Sequence, residues 1–212
     1  MPRLSAELGG PRLYIKRDDQ TGLAMGGNKT RKLEFLLAEA QAHGARTLIT
    51  AGALQSNHCR QTAAAAARYG FDCILVLYSP FSPTELASEE AATGNLLLDR
   101  LMGAEIVRTR REDRDRVLKE TFQAAWDAGR RPYLIPYGGS NPTGAAGYVF
   151  ALQELLQQDL MQQEPPDWIV FPSSSGGTQA GLALGARLFG YTGKVLGISV
   201  DEQKAELQTR VA

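Results

Sequence analysis

The sequence predicts an α/β protein in which helices cover both faces of a parallel sheet. Short apolar segments alternate with amphipathic stretches along almost all of the 212 residues. The apolar segments are rich in Ile, Leu and Val and are bounded by turn residues, as buried parallel strands are. The stretches between them repeat their apolar residues with helical spacing, and this alternation is typical of a sheet covered on both faces.

Each element follows from its local pattern. The apolar segments predict strands at 47–50, 73–78, 105–107, 133–136, 168–172 and 195–200. The amphipathic stretches predict helices at 29–43, 56–69, 84–102, 112–128, 144–161 and 177–189. The first helix carries Leu33, Leu36, Leu37 and Ala40 on one face. The segment 157–167 resembles a linker and suggests a crossing between domains.

Composition and charge argue against several classes of protein. Lys and Arg together number 23 and so do Asp and Glu, so no excess charge favours nucleic acid or an anionic membrane. The chain starts without the apolar run of a signal peptide, and it has no apolar run of about 18 or more residues. Cys59 and Cys73 lack metal-ligand spacing and are expected to be reduced thiols in or near the core. We therefore expect a cytoplasmic protein without a metal, nucleic-acid or membrane partner.

The segment GLAMGGNKTRK, residues 22–32, resembles a nucleotide-binding loop. In such a P-loop the lysine directly follows the second glycine. Counted from Gly22, the second glycine is Gly27 and the next residue is Asn28, so Lys29 comes one residue late. Three interpretations of Lys29 follow: it forms a covalent bond with a ligand, it binds ATP from a shifted loop, or it is an exposed lysine at the start of a helix.

A second candidate site follows the strand at 168–172. The small residues Ser175, Gly176, Gly177 and Thr178 come between that strand and the next helix. Their free backbone N–H groups suit an anion such as phosphate. The spacing differs from that of a dinucleotide fingerprint, and a well-capped tight turn is the alternative interpretation.

A third candidate site follows the strand at 47–50. Gln55, Ser56, Asn57 and His58 form the first turn of an alanine-rich helix. Its free amides and positive dipole end suit a carboxylate. The alternative is an ordinary cap by Ser56 or Asn57, with His58 exposed.

Four segments together resemble a family of pyridoxal-phosphate enzymes. They are GGNKTRKLEFLLAEA, AGALQSNHCRQTAAAAA, IPYGGSNPTGAAGY and SSSGGTQAG. In order and separation they are similar to the branch that contains D-cysteine desulfhydrase and 1-aminocyclopropane-1-carboxylate deaminase. The resemblance implies the two-domain tryptophan-synthase-β-like fold, with a small domain at 44–150. Residues 1–43 and 151–212 would belong to the larger domain, and the cofactor would lie between the two.

The resemblance also implies roles for individual residues. Lys29 would be the Schiff-base lysine, and Asn57 would hydrogen-bond the phenolic oxygen of the cofactor. Ser56 would be a base or nucleophile near the α-carbon of the substrate. The cofactor phosphate would bind Ser175, Gly176, Gly177 and Thr178. The substrate would contact Gln55, Ser56, Asn57, Tyr137 and His58, the last through its backbone amide.

The implied activity is that of a lyase or deaminase on small amino acids. His58 after Asn57 favours a D-cysteine desulfhydrase, which forms pyruvate, sulfide and ammonia. A 1-aminocyclopropane-1-carboxylate deaminase and a cysteate sulfo-lyase are the alternatives within the branch. Members of the family are longer and commonly dimeric, so we expect a homodimer and a C-terminal part beyond Ala212. A fragment that binds cofactor without turnover is the alternative from a different class.

Overall fold

The computed structural model describes residues 1–79, 93–200 and 203–211, and they form alternating helices and strands. The helices are α1 (Pro2–Leu8), α2 (Lys29–Ala42), α3 (Asn57–Tyr69), α4 (Gly94–Leu101), α5 (Arg114–Asp127), α6 (Pro142–Leu156), α7 (Asp159–Gln163), α8 (Gly177–Leu188) and α9 (Lys204–Val211). The strands are β1 (Thr47–Ala53), β2 (Asp72–Tyr78), β3 (Glu105–Thr109), β4 (Pro132–Leu134), β5 (Trp168–Ser173) and β6 (Lys194–Ser199).

Four strands form a parallel sheet in the order β3-β2-β1-β4. Strands β1 and β2 are in register over their whole length, from Thr47 opposite Asp72 to Ala53 opposite Tyr78. Because side chains alternate along a strand, consecutive residues within β1, and likewise within β2, face opposite sides of the sheet. The prediction of a parallel sheet is confirmed.

Helices cover both faces of this sheet. On one face, Leu48 and Leu75 pack in a core with Leu33 and Leu36 of α2 and Ala63 of α3. On the other face, Ile49 and Ile74 pack against Ala125 of α5. Consecutive buried residues along each strand therefore pack against helices on opposite faces of the sheet, as the sequence predicts.

Strands β5 and β6 form a separate parallel pair. Ile169, Phe171 and Val195 pack onto the buried side chains Leu152 of α6 and Leu182 of α8. The opposite face carries large apolar side chains that are 40–59% exposed: Trp168, Val170, Leu196 and Ile198. The prediction of fully buried strands is wrong for this pair, because the described residues cover only one of its faces.

Two expected elements differ in detail. The predicted helix 144–161 is two helices, α6 and α7, separated by Gln157 and the extended backbone of Gln158. Segment 157–167 is therefore partly helical. Because Met161 of α7 is buried, the segment is not a plain linker. Helix α4 lies within the predicted range 84–102, of which residues 84–92 fall outside the described residues.

The proposed domain boundary at residue 150 lies inside α6, which continues through it without a break. Helix α6 packs against both α2 and α8. The division into domains stays a prediction. In the part of the chain that the structure describes, no helix has the length and apolar character needed to cross a membrane.

Candidate active site

The predicted site residues lie where strands end and helices begin. Gln55, Ser56 and Asn57 follow β1, Tyr137 follows β4, and Ser175 follows β5. Loops at the carboxyl ends of parallel strands are the usual ligand-binding region of such sheets. The loops after β4 and β5 meet directly, because the hydroxyls of Ser140 and Ser175 are hydrogen-bonded at 2.7 Å.

Lys29 is the first residue of α2, and the loop before it is held tightly. Gly26 has a φ of +74°, and a Cβ there would lie 1.9 Å from the carbonyl oxygen of Asp19, so only glycine fits. The hydroxyl of Thr21 donates to the carbonyl of Gly27 and accepts from its N–H, at 2.9 and 3.0 Å. The loop therefore fixes the start of the helix that carries Lys29.

The Lys29 amine is activated by its surroundings. Burial lowers its pKa below the ordinary lysine value of 10.5. Desolvation disfavours the ammonium, so a larger fraction of the side chain is the neutral amine that can attack a carbonyl carbon. This favours a covalent role over an exposed lysine at a helix start.

Lys32, one turn after Lys29, is a second lysine of the site. Its side chain is 1% exposed, and its ammonium group donates to the carbonyl of Gly138 and the hydroxyl of Ser140, both at 3.1 Å. Burial and, to a smaller degree, the charge of Lys29 lower the pKa of Lys32 to about 6. A bound anion would stabilise the protonated form of this buried amine, so the position is suited to anion binding.

The predicted anion-binding turn, residues 175–178, lies directly over Lys32. Gly176 caps α8 in the left-handed conformation, and a Cβ on Gly177 would lie 2.9 Å from the Lys32 Nζ. The N–H of Gly177 donates to the Ser140 hydroxyl at 3.3 Å. The next two amides, those of Thr178 and Gln179, belong to the first helical turn and have no intrahelical acceptor. Backbone donors and the buried Lys32 amine thus lie close together at this turn, as a phosphate site requires.

Ser56 is the N-cap of α3. Its Oγ accepts a hydrogen bond from the N–H of Cys59 at 3.2 Å, which is the ordinary capping contact. The hydroxyl hydrogen stays available to donate, so capping and a role toward a substrate are compatible. Gln55 is tied to the start of α4, since its Oε1 accepts from the Asn95 N–H at 2.8 Å and its Nε2 donates to Thr93 O at 3.2 Å.

His58 does not present its ring to the site. The side chain is 4% exposed, and its Nε2 lies 3.0 Å from the hydroxyl of Thr50 in the core. Burial and the charges of Lys29 and Lys32 hold its pKa well below 6.5, so the ring is neutral. Only the backbone N–H of His58 is suited to the substrate contact predicted for it, and the alternative interpretation, with His58 exposed, is wrong.

Tyr137 lines a cavity beside the anion-binding turn. Its ring lies under the guanidinium of Arg114, with 4.8 Å between the guanidinium carbon and the ring centroid. Its hydroxyl is 3.4 Å from that of Tyr78. The cavity measures about 390 Å³ and is lined by Arg111, Arg114, Pro136, Tyr137, Ser140, Ser175 and Arg210. Several arginines and hydroxyls therefore border the space next to the predicted phosphate site.

Sequence reasoning missed Lys32, Ser140 and Arg60. Lys32 lies on the apolar face of α2, four residues before the buried Leu36. A lysine on such a face is a usable signal, because a charged side chain is rarely buried without a function. Arg60 sits on the buried side of α3 in the same way. The position of Ser140 gives no comparable signal.

With this geometry established, comparison with known proteins identifies the class. A family model described as pyridoxal-phosphate dependent enzyme matches residues 1–211, and the chain belongs to that family. This confirms the cofactor and the type of fold that the sequence predicts.

Known relatives point to the predicted branch of the family. The chain is 45% identical over all 212 residues to the D-cysteine desulfhydrase of Salmonella choleraesuis. It is also similar to the solved structure of an ACC deaminase homologue, with a TM-score of 0.88 and 39% identity over 99% of this chain. The solved threonine deaminase of T.th. has a TM-score of 0.70 at 26% identity, over 93% of this chain and 56% of its own. The chain spans 63% of the length of the Salmonella enzyme and 62% of that of the ACC deaminase homologue.

The residues present fit pyridoxal phosphate. Lys29 offers an amine with a lowered pKa for the aldehyde. The turn at Gly176 and Gly177, with Lys32 beneath it, offers donors and a cation for the phosphate. Asn57 at the start of α3 provides a neutral amide for the ring.

Proposed function

We propose that the chain acts as a pyridoxal-phosphate enzyme on small amino acids, with D-cysteine desulfhydrase as its activity. The observation that carries the proposal is the pair of lysines on one helix. Lys29 has a lowered pKa at the mouth of the site, and Lys32 is buried under the glycine turn. The 45% identity with a D-cysteine desulfhydrase over the whole chain supports the choice of substrate.

When bound, the cofactor supplies an electron sink for the α-carbon of an amino acid. The residues of this chain hold and orient the reacting groups. We infer that Lys29 Nζ would hold the cofactor at its aldehyde carbon and that the same amine would accept the α-proton of the substrate. Its lowered pKa favours both tasks, because both need the neutral amine.

Ser56 is the second candidate for proton transfer. Its hydroxyl caps α3 and keeps one hydrogen to donate. We propose that it contacts the substrate near the α-carbon, while the backbone N–H groups at the start of α3 bind the carboxylate. The helix dipole favours an anion at this end. The side chains of Gln55 and Tyr137 would complete the wall around the substrate.

We propose that the phosphate is held by Ser175, Gly176, Gly177 and Thr178 together with Lys32. The free amides of the first turn of α8 donate to the phosphate oxygens, and Lys32 balances part of the charge. Asn57 would donate to the phenolic oxygen of the ring.

A deaminase acting on 1-aminocyclopropane-1-carboxylate is the second candidate, because the ACC deaminase homologue has a TM-score of 0.88 with this chain. A cysteate sulfo-lyase and a cofactor-binding fragment without turnover are further alternatives. Purified protein loaded with cofactor should be offered D-cysteine, 1-aminocyclopropane-1-carboxylate and cysteate in parallel. Sulfide and pyruvate from D-cysteine alone support the first candidate, and product from none of them supports the fragment.

Lys29 is tested by reduction with borohydride and peptide mass mapping. We expect a reduced pyridoxyl adduct on Lys29 and its loss in Lys29→Ala. Turnover should fall by about 100- to 10,000-fold in that variant, because a positioned base is removed. Lys119→Ala, at an exposed site on α5, is the matched control and should retain both adduct and turnover. An adduct that maps elsewhere in cofactor-loaded protein contradicts the assignment.

We also propose that the protein works in the cytoplasm as a homodimer. Cys59 and Cys73 are both free and buried, which suits a reducing compartment. Fractionation of cells and analytical ultracentrifugation test the two statements separately.

A further inference from the structure

A buried arginine links the parts of the site. Arg60 on α3 is 8% exposed, and its guanidinium donates to the carbonyl of Gly26 at 2.8 Å. It also donates to the side-chain oxygens of Asn57 and Asn95, both at 3.1 Å. A nearby buried carboxylate, Asp99, contributes the opposite charge; burial raises the pKa of Asp99 to about 7, and Arg60 opposes that rise. Arg60 is therefore held in place from several sides.

These contacts define the orientation of the Asn57 amide. The Oδ1 of Asn57 accepts from Arg60 at 3.1 Å and from the Nδ2 of Asn95 at 3.0 Å. A guanidinium can only donate, so the atom facing it must be the oxygen of the amide rather than the nitrogen. The Nδ2 of Asn57 has no hydrogen bond within the described part of the chain, so it is left to donate to a ligand.

Asn95 fixes the same amide from the other side. Its Nδ2 donates to the backbone carbonyl of Gln55 at 2.7 Å as well as to Asn57. Its backbone N–H holds the side-chain oxygen of Gln55 at 2.8 Å. The start of α4 thus braces the turn between β1 and α3 that presents Asn57.

The contact with Gly26 joins this amide to the lysine. Gly26 lies three residues before Lys29, in the loop that fixes the start of α2. A single guanidinium therefore spans the loop that leads to Lys29 and the helix that carries Asn57. A shift of either element would stretch a hydrogen bond to a charged donor, which is costly inside a protein.

We propose that Arg60 and Asn95 are positioning residues that turn the Asn57 amide nitrogen toward the anionic ring oxygen of the cofactor. They also keep that nitrogen at a set distance from Lys29. The inference rests on the proposed function, because the ring oxygen belongs to pyridoxal phosphate. Arg60 itself does not touch the cofactor. Its cationic charge polarises the Asn57 amide and strengthens it as a donor.

The test is a double-variant cycle on the binding of pyridoxal phosphate. Its dissociation constant and the visible absorbance of the bound cofactor are measured for Arg60→Met, Asn57→Ala and the two combined. Each single variant should weaken binding about tenfold, the usual effect of one lost hydrogen bond to a charged group. The combined variant should bind no more weakly than Asn57→Ala, and the absorbance maximum should shift equally in all three. Additive losses in the combined variant would overturn the inference, because Arg60 would then act independently of Asn57.

Two further variants serve as a control and as a second test of the inference. Arg68→Met removes an exposed arginine from the last turn of the same helix and should leave binding and absorbance unchanged. Asn95→Asp replaces the donor to Asn57 with an acceptor at a less buried site. We expect Asn95→Asp to weaken the binding of pyridoxal phosphate several-fold, and this variant tests the inference if Arg60→Met fails to fold. Wild-type binding in Asn95→Asp would overturn the inference. Wild-type protein that forms no borohydride-stable adduct on Lys29 would instead overturn the proposed function.

Discussion

At the scale of a residue, we expect the buried Lys32 to lower the stability of the cofactor-free protein and to strengthen the binding of pyridoxal phosphate. Its ammonium group is buried beside Gly138 and Ser140, and its pKa is lowered to about 6 from 10.5. At pH values between about 6 and 10.5, Lys32 is neutral in the folded chain and protonated in the unfolded chain. Unfolding therefore takes up a proton, and stability without cofactor rises as the pH increases from about 6 to about 10.

We predict that Lys32→Met raises the unfolding temperature of the cofactor-free protein, most strongly near pH 6. The gain should shrink as the pH approaches 10, because deprotonating the wild-type lysine then costs less. With pyridoxal phosphate the order should reverse, since the phosphate loses its cationic partner and binds about 10- to 100-fold more weakly. Thermal unfolding at several pH values, with and without cofactor, measures both effects.

The comparison needs a lysine that is not buried. Lys119→Met changes an exposed residue of α5 and should alter neither the pH dependence nor the affinity. If Lys32→Met keeps wild-type affinity for pyridoxal phosphate while unphosphorylated pyridoxal also binds unchanged, Lys32 does not contact the phosphate.

At the scale of an element, the start of α2 depends on the loop that precedes it. Gly26 combines a φ of +74° with close contact to the backbone of Asp19. Ala24 and Met25 just before it also have positive φ, at 44° and 67°. Non-glycine residues in this region carry backbone strain, which accumulates at functional sites. The loop is thus kept in an unfavourable conformation that brings Lys29 to the start of its helix.

We predict that Gly26→Ala destabilises the protein more than Gly70→Ala. Gly70 has nearly the same φ, +75°, but a Cβ there would have nothing within 4 Å. Gly70→Ala should therefore cost only the strain of the left-handed conformation, about 1 kcal/mol. Gly26→Ala adds a clash and should cost about 3 kcal/mol or more. Urea unfolding gives both values, and cofactor binding should weaken only in Gly26→Ala. Equal losses in the two variants would show that the Asp19 contact does not restrict the loop.

At the scale of the molecule, the two sheets differ in how they are covered. The four-stranded sheet has helices on both faces, whereas the β5–β6 pair has a core on one face only within the described residues. Trp168, Val170, Leu196 and Ile198 leave a continuous apolar surface on the other face. Such a surface is unfavourable in water and promotes association.

We predict that the 212-residue polypeptide associates through this apolar surface. Size-exclusion chromatography over a range of concentrations should show species larger than a monomer, which Val170→Lys with Ile198→Lys should shift toward the monomer. Lysines introduced instead at the exposed Gln123 and Gln162 add the same charge elsewhere and should leave elution unchanged. Identical elution of both double variants would contradict association through the β5–β6 face.

The elements were largely predictable from local pattern, and so were the loops that border the candidate site. All six predicted strands lie close to their predicted positions, since apolar runs bounded by turn residues have few alternatives. The residues Lys29, Ser56, Asn57 and Gly177 were predicted as site residues because their motifs are contiguous in sequence. The inward position of His58 could not be predicted, since it depends on packing against Thr50 in the core.

The sequence by itself determined the parallel α/β fold, the family and the loops around the site, because these depend on short-range periodicity and contiguous motifs. The tertiary structure alone decided that Lys32 lies under the turn at Gly176 and Gly177 and that Arg60 spans Gly26 and Asn57. It also decided that, among the described residues, one face of β5 and β6 stays uncovered. The physical reason is that each of these features depends on groups far apart in the chain. Their burial and charge partners exist only once the helices pack against the sheets.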